Sequence, residues 1–312
     1  MMEDVLVSVR MVTYNQEKYI AEAIESVLRQ KVNFRYELII GEDASTDGTA
    51  AIVDRYQSEY PDIIRVFHRK KNLGMLENNK RVMRACRGKY VAALAGDDYW
   101  VYQYKLQKQV DYLEEHDDVT GTAHNVYSVD DEGREAAPEY AIYMRKGYIY
   151  NKWYAMNLKH EVGHTASYVY RNIRYLLGKE QWEAFLNCRL NVDVRVSYTL
   201  AMLGKIVYFD EIWSCSRRLL KGDSWLATTY QRNLLYFYFD MDLEACRYLK
   251  EVFGVKVDPS NNLRDKLKQA DNLAVQTPTK ENIAVAIQIN IAYLLFLLKK
   301  GLRRIKDYYF KK

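Results

Sequence analysis

Apolar and polar positions in the first 116 residues follow two alternating periods. Apolar, β-branched-rich runs predict strands at residues 5–12, 36–41, 63–68 and 90–95, because such runs suit a buried pleated surface. Apolar residues spaced three and four apart predict helices at residues 19–30, 49–60, 76–86 and 101–116. Four successive strand-to-helix steps predict an α/β fold with a mostly parallel central sheet flanked by helices.

The pattern is less regular in the rest of the chain. Further strands are predicted at residues 119–129, 165–170 and 205–209, a turn at 130–133 and a helix at 192–203. Residues 136–150 show no clear period. Beyond residue 224 the pattern is helical, with a break at 258–262. We therefore predict an α/β domain over residues 1–225 and a helical C-terminal extension over 226–312.

The charge distribution limits the classes of partner. The formal net charge is +5, but residues 291–312 carry +6 and the remainder −1. A nearly neutral body lacks the basic face that nucleic-acid binding requires, so we predict no nucleic-acid partner. The four cysteines lie far apart without metal-ligand spacing, and the N-terminus lacks a secretory signal pattern. Both features predict a cytoplasmic location.

Polar residues follow the predicted strands at the ends where ligands gather in parallel sheets. They are Thr13-Tyr14-Asn15, Glu42-Asp43, Asn72-Leu73-Gly74 and Gly96-Asp97-Asp98. Adjacent carboxylates repel unless a cation separates them, so the last group indicates a divalent metal, although either aspartate would also suit a helix cap. The chain has neither GxGxxG nor GxxxxGK, so a bound diphosphate would need a metal to hold it.

Four segments carry a more specific signal. They are SVRMVTYNQEKYIAEAIESVLRQ, ELIIGEDASTDGT, NLGMLENNKRVMRACRGKYVAALAGDDYW and FDEIWSCSRR, in this order. The sequence thereby resembles the inverting family 2 glycosyltransferases, which have the GT-A fold, over about residues 4–225. The resemblance implies transfer of a sugar from a nucleotide diphosphate donor, usually a UDP-sugar, to a hydroxyl acceptor with Mn²⁺ or Mg²⁺. It also implies a nucleotide-sugar-binding half at 1–100 and an acceptor-binding half at 101–225.

The same resemblance implies roles for individual residues. Donor-binding roles fall on Thr13, Tyr14, Asn15, Asp43, Asn72, Gly74, Asp97 and Arg217, with Asp43 on the base and Arg217 near the diphosphate. Asp98 is implied as the metal ligand and Asp193 as the catalytic base. His164 is a candidate acceptor contact. Simpler alternatives stay open: turn residues for Asn15 and Asn72, a helix cap for Asp43 and a packed histidine for His164.

Three positions depart from the family pattern. Ala95 replaces an acid found in many relatives, Val194 follows Asp193 where tryptophan is common, and Leu219 replaces a frequent histidine. The resemblance implies an enzyme of cell-surface polysaccharide or glycolipid synthesis. Because of these three departures, the alternative is an inactive nucleotide-sugar or glycan-binding module. Two other classes are disfavoured by Thr13-Tyr14-Asn15, which follows the first predicted strand. A signalling receiver domain needs an acidic pair at this position, and a nucleotidyltransferase needs a glycine-rich basic loop.

The C-terminal segment is apolar and basic. Residues 283–298 are shorter than the roughly 20 residues that span a bilayer, so we predict no membrane span. Leu294, Leu298, Leu302, Ile305 and Tyr309 share a helical face beside Lys299, Lys300, Arg303 and Arg304. Such a helix suits peripheral contact with an anionic membrane, or packing against protein. A glycan or lipid-linked acceptor is expected, and a lipid-linked one would place the enzyme at the inner face of the cell membrane.

Overall fold

A computed structural model describes residues 5–135, 149–159, 162–218 and 234–310 of the chain. The chain divides into two compact units, Met1–Leu219 and Leu220–Lys312. Each unit has its own buried core and is described separately below.

The first unit begins with the predicted alternation of strands and helices. Its elements are β1 (Val7–Thr13), α1 (Ile20–Leu28), β2 (Tyr36–Glu42), α2 (Thr49–Glu59), β3 (Ile64–His68), α3 (Met75–Ala85) and β4 (Tyr90–Ala95). These seven confirm the sequence prediction. The next helix, α4 (Lys105–Glu115), starts later than predicted, because the short strand β5 (Tyr99–Trp100) precedes it.

The second half of this unit contains shorter elements. They are β6 (Val119–Val129), β7 (Ile149–Tyr150), α5 (Lys152–Met156), a 3₁₀ helix (Thr165–Ser167), β8 (Val169–Arg171), α6 (Ile173–Leu176), α7 (Lys179–Asn187), α8 (Val192–Leu203) and β9 (Lys205–Arg217). The predictions for β6 and α8 are confirmed, and β9 extends well beyond the predicted 205–209. The predicted strand at 165–170 is wrong in its first half, because the carbonyl of His164 accepts hydrogen bonds from the Ser167 N–H and hydroxyl.

The strands of the described residues form one sheet in the order β3-β2-β1-β4-β8-β6-β9-β5, with β7 also paired to β9. The β3-β2-β1-β4 part is parallel throughout, as the alternation of strands and helices predicts. Beyond β4 the pairing changes. Strand β8 is antiparallel to both β4 and β6, while β6 and β9 are parallel. The sheet is therefore parallel in its first half and mixed in its second.

Strand β1 lies at the centre of the parallel half and is buried on both faces. Val7, Val9 and Met11 alternate along one face and join a core cluster with residues of α1. The opposite face carries Ser8 and Arg10, which are also buried. A buried central strand normally has apolar residues on both faces, so the polar face of β1 needs buried partners.

The second unit is helical, as predicted. Its described helices are α9 (Leu234–Phe253), α10 (Ser260–Gln276) and α11 (Lys280–Phe310). The break predicted at 258–262 falls at 254–259, and a second break, at 277–279, was not predicted. The buried side chains that join the helices are Phe239, Leu263, Ala270, Val285, Ala286 and Ile289.

Helix α11 has a second apolar face that the described residues leave uncovered. Ile283, Ile287, Ile291, Leu294 and Leu298 are all exposed, Leu294 by 57%. The segment Lys280–Lys300 is 21 residues long, and its length and composition suffice to cross a membrane. The prediction of no span relied on the shorter run 283–298, whereas the helix extends past both of its ends. The side chains of Leu302, Arg303, Arg304, Ile305 and Tyr309 lie outside the described residues.

Lys105 is an unusual core residue at the start of α4. Its side chain is fully buried, and its Nζ lies 4.3 Å from the centre of the Trp100 ring. Among the described residues this Nζ has no hydrogen-bond partner. Burial lowers the pKa of Lys105 well below its ordinary value. Burial therefore disfavours the protonated form of this amine in the folded chain.

We expect Lys105→Met to raise the free energy of unfolding at pH 7. The wild-type unfolded state binds a proton at Lys105 more tightly than the folded state does, and each unit of this pKa difference costs about 1.4 kcal/mol of stability. The wild-type stability therefore rises with pH, and the advantage of the variant should shrink as pH approaches about 10.4. Urea unfolding at pH 7 and at pH 10 measures both effects. An equal difference at the two pH values would show that Lys105 is charged in the fold.

Candidate active site

The parallel strands β1, β2 and β4 end level with one another. Thr13 pairs with Glu42 across β1 and β2, and Val12 pairs with Ala95 across β1 and β4. The loops that follow these strands therefore emerge side by side. They carry the predicted donor-site residues Tyr14, Asn15, Asp43, Asp97 and Asp98.

The loops after β1 and β2 are fastened to each other. The Asn15 N–H donates to the Ser45 hydroxyl at 3.0 Å, and the Asn15 side-chain oxygen accepts from the Thr46 N–H at 2.9 Å. Asn15 has a φ of +51°, in the left-handed region that asparagine tolerates. Its role as a turn residue is therefore observed. Tyr14 is half-buried beside it, and the Thr13 hydroxyl donates to Gln16 Oε1 at 2.8 Å.

Asp43 joins the second loop to the loop before α3. Its two carboxylate oxygens accept from the N–H groups of Leu73 (3.0 Å) and Gly74 (2.8 Å). The Gly74 N–H also donates to Asn72 Oδ1 at 2.9 Å, and Gly74 has a φ of +84°, which glycine adopts without strain. Asp43 is only 2% exposed. It does not cap α2, whose N-cap is Gly48, so the alternative of a helix cap is wrong.

Asp97 and Asp98 lie at the end of β4. Asp98 is buried, and its Oδ1 accepts from the Arg217 N–H at 3.0 Å, while Asp97 is half-buried. The pKa of each carboxyl is raised to about 7, mainly by burial and, for Asp97, also by the neighbouring Asp98. Neither residue caps α4, whose N-cap is Tyr104. Ionisation of both carboxyls at neutral pH is therefore unfavourable.

His164 and Asp193 approach the carboxylate pair from the second half of the unit. The Ala166 N–H donates to His164 Nδ1 at 3.3 Å, so the neutral ring carries its hydrogen on Nε2, which donates to the Ser216 hydroxyl at 3.0 Å. Burial lowers the pKa of His164, which favours this neutral form. The Ser216 hydroxyl also hydrogen-bonds Asp98, and His164 Nδ1 lies 3.8 Å from Asp98 Oδ2.

Asp193 lies in the first turn of α8. Its Oδ2 accepts from the Thr165 hydroxyl at 2.5 Å, and its side chain is 22% exposed. The N-cap residue Asn191 accepts from the Asp193 N–H at 3.3 Å and fixes the start of the helix. The flanking Val194 is fully buried. Asp193 thus has one carboxylate oxygen bound to the segment that contains His164 and retains some solvent access.

Arg217 is the last residue of β9, and its guanidinium group contacts three other side chains. The group lies between the rings of Tyr19 and Tyr99, at 5.0 and 4.9 Å from their centres, and forms an ion pair with Glu22. Glu22 raises the pKa of Arg217 against the lowering effect of burial. The guanidinium Nε is buried without a hydrogen-bond partner among the described residues. Leu219, two residues later, lies outside the described part of the chain.

The sequence analysis missed several residues of this site. Arg10 approaches Asp193, with Nη2 to Oδ1 at 3.6 Å, and the signal for it was a charge within a central strand. Glu42 accepts from the N–H groups of Ala44 and Ser45 and so shapes the turn that presents Asp43. Ser216 and Thr165 gave no local sequence signal, because their roles depend on contacts with residues far along the chain.

The described residues contain no group of three or more histidine, cysteine or acidic side chains placed to hold a metal. Asp97 and Asp98 offer carboxylate oxygens, which magnesium and manganese prefer, but only from one short segment. A cation bound here would need further oxygen ligands from water or from a substrate.

Comparison with known proteins assigns the chain to a family. Residues 8–175 match the family model described as Glycosyl transferase family 2. An uncharacterised protein of Mycobacterium tuberculosis is 42% identical over 126 residues, which are 40% of this chain and 36% of that protein. The Bacillus subtilis protein TuaG, named as a teichuronic acid biosynthesis glycosyltransferase, is 36% identical over 110 residues, or 35% of this chain and 42% of TuaG. The alignments thus span well under half of these relatives.

A solved structure shares the fold. The crystal structure of S. aureus TarS in complex with UDP-GlcNAc superposes with a TM-score of 0.61, over 93% of this chain and 80% of that chain. The sequences are 16% identical, so the likeness concerns the fold alone.

Proposed function

The chain belongs to glycosyl transferase family 2, and we propose that it transfers a sugar from a nucleotide diphosphate donor to a hydroxyl acceptor with inversion. The observation that carries this proposal is the approach of Asp193 to the adjacent carboxyls of Asp97 and Asp98, from a distant segment of the chain. Asp97 and Asp98 lie at the end of β4, and Asp193 approaches them from α8. His164 lies 3.8 Å from Asp98 and directly precedes Thr165, whose hydroxyl donates to Asp193.

The donor would bind over the loops after β1, β2 and β4, in the proposed nucleotide-sugar half 1–100. Asn15, Asp43 and Gly74 join the loops after β1, β2 and β3 through the hydrogen bonds described above. We assign the nucleotide to the surface formed by Thr13, Tyr14, Asn15, Asp43, Asn72 and Gly74. A UDP-sugar is the proposed donor, because TarS, which shares the fold, has been solved with UDP-GlcNAc.

The carboxylate pair fits a divalent cation, Mn²⁺ or Mg²⁺. Burial raises the pKa of Asp97 and Asp98 to about 7, and a cation would stabilise their ionised forms. Asp98 would be the protein ligand, with Asp97 near the ribose and diphosphate. The bound cation would neutralise charge on the departing nucleoside diphosphate. The Arg217 N–H holds Asp98 in place, and Arg217 is proposed to lie near the diphosphate.

Asp193 is the proposed general base, in the acceptor-binding half 101–225. Its carboxylate accepts the proton of an acceptor hydroxyl while that oxygen attacks the anomeric carbon. The bond from the anomeric carbon to the donor phosphate breaks on the opposite face, which inverts the configuration. His164, neutral through burial, lies beside this path and is proposed as an acceptor contact.

One relative supports a class of acceptor. TuaG is named for teichuronic acid biosynthesis, so we propose a glycan or lipid-linked acceptor in cell-surface polysaccharide synthesis. The alternative is an inactive nucleotide-sugar or glycan-binding module, which Ala95 favours because it leaves β4 without the additional acid of many relatives. Turnover distinguishes the two.

We further propose that α11 binds the surface of an anionic membrane. Its buried face packs within the helical unit, and the opposite face, with Ile287 and Leu294, is exposed. Lys299 is exposed at the end of this apolar face, where it would meet anionic headgroups. Contact with a membrane would bring a lipid-linked acceptor to the enzyme from the cytoplasmic side.

Asp98→Asn should abolish metal-dependent nucleotide binding and leave the fold intact, because it keeps the shape of the side chain and removes its charge. Calorimetric titration of UDP with and without Mn²⁺ measures the effect. Asp62→Asn, at an exposed position, is the matched control and should bind like the wild type. Unchanged metal-dependent affinity in Asp98→Asn would refute the ligand assignment.

Asp193→Asn should lower turnover by roughly 10²- to 10⁴-fold, the usual contribution of a general base, with nearly unchanged nucleotide affinity. Release of UDP from a panel of UDP-sugars, with and without acceptor glycans, gives the rate. Wild-type turnover in the variant would show that the base lies elsewhere. A wild-type protein that binds a donor without turning it over would support the inactive module.

The double variant Ile287→Glu with Leu294→Glu should lose binding to vesicles that contain phosphatidylglycerol, because it places charges on the exposed apolar face of α11. Co-sedimentation at low salt measures binding. Val275→Glu, on α10 at an 80% exposed position, is the control and should bind normally. If the wild-type chain does not sediment with such vesicles, the membrane proposal fails.

A further inference from the structure

Arg10 is a buried charge in the middle of the sheet. It lies on β1, where its register partners are Ile39 of β2 and Ala93 of β4, and its side chain is only 4% exposed. Removing a guanidinium group from water is costly, and well-packed apolar residues often serve stability equally well at such a position. The burial of Arg10 therefore indicates a role beyond packing in the core.

The guanidinium group binds three elements at once. Its Nε donates to the Tyr170 hydroxyl of β8 at 3.2 Å, and its Nη1 donates to Asn79 Oδ1 of α3 at 2.7 Å. Its Nη2 lies 3.6 Å from Asp193 Oδ1 of α8. The planar group thus has a different partner in each direction, which fixes its orientation.

The partners of Arg10 are themselves fixed. Asn79 Nδ2 donates to the Met75 carbonyl at 3.1 Å, which turns Asn79 Oδ1 toward Arg10. Met75 is the first residue of α3 and directly follows Gly74, whose N–H is held by Asp43. A continuous chain of contacts therefore runs from the loop proposed to bind the donor, through Asn79 and Arg10, to Asp193.

We propose that Arg10 is a positioning residue that holds the carboxylate of Asp193 toward the donor and acceptor. Arg10 binds one carboxylate oxygen and Thr165 the other, so the orientation of the group is set from both sides. The link through Asn79 couples that orientation to the donor loop. This inference rests on the proposed role of Asp193 as the base. Arg10 itself touches no substrate.

A double-mutant cycle between Arg10→Met and Asp193→Asn tests the inference. Arg10→Met should lower kcat by roughly 10- to 100-fold, the scale of a misplaced reacting group, while the donor KM changes less than about twofold. Arg10→Lys, which keeps the charge, should recover part of the loss. In the Asp193→Asn background, Arg10→Met should have almost no further effect, because the group that it positions is already absent.

Ser8→Ala is the matched control. Ser8 lies on the same buried face of β1 and donates to Glu37, so its loss perturbs the strand without reaching Asp193. It should leave kcat unchanged and show no dependence on the Asp193 background. If Arg10→Met does not fold, Asn79→Ala, which releases Arg10 from α3, should show the same background-dependent loss of kcat.

The failures of the two proposals are distinguishable. If Asp193→Asn keeps wild-type turnover, the base assignment and with it the role of Arg10 are refuted. If Asp193→Asn loses turnover while Arg10→Met, or Asn79→Ala in its place, costs the same factor in both backgrounds, only the positioning role is overturned. A wild-type kcat in Arg10→Met would overturn it as well.

Discussion

The parallel pairing of β1 with β2 on one side and β4 on the other is the constraint on which the site depends. The Asp43 N–H donates to the Thr13 carbonyl at 3.1 Å, and the Gly96 N–H donates to the Val12 carbonyl at 3.2 Å. These bonds continue the sheet into the loops and keep the three strand ends level. A Cβ on Gly96 would come within 2.5 Å of Gln16 Oε1, so only glycine lets the β4 loop approach the β1 loop this closely.

Buried charge is the second determinant of the site. The first unit removes Asp98, Asp43 and Arg10 almost completely from water. Asp43 is compensated by backbone N–H groups, and Arg10 by Tyr170, Asn79 and Asp193. Asp97 and Asp98 are less compensated than Asp43 and Arg10, and burial raises the pKa of both carboxyls to about 7. These two carboxyls lie where the family resemblance implies a metal.

The two halves of the first unit contribute differently to this site. The parallel half supplies rigid loops whose backbone groups are mutually hydrogen-bonded. The mixed half supplies side chains from three separate elements that hydrogen bonds bring together: His164 from the segment before β8, Asp193 from α8 and Ser216 from β9. The loops of the parallel half are therefore suited to binding a nucleotide, and the side chains of the mixed half are suited to contacting the reacting groups.

The sequence by itself determined the local elements and the residues at the parallel strand ends. Periodicity fixes whether a segment is a strand or a helix, and a parallel sheet necessarily places Asn15, Asp43 and Asp98 at one edge. The motif order also identified the family. Only the tertiary structure decided the antiparallel order around β8, the hydrogen bond of Thr165 to Asp193 and the contact of Arg10 with Asp193. The physical reason is that periodicity reports the burial of neighbouring positions, whereas these features depend on pairing and packing between residues 28 to 183 positions apart.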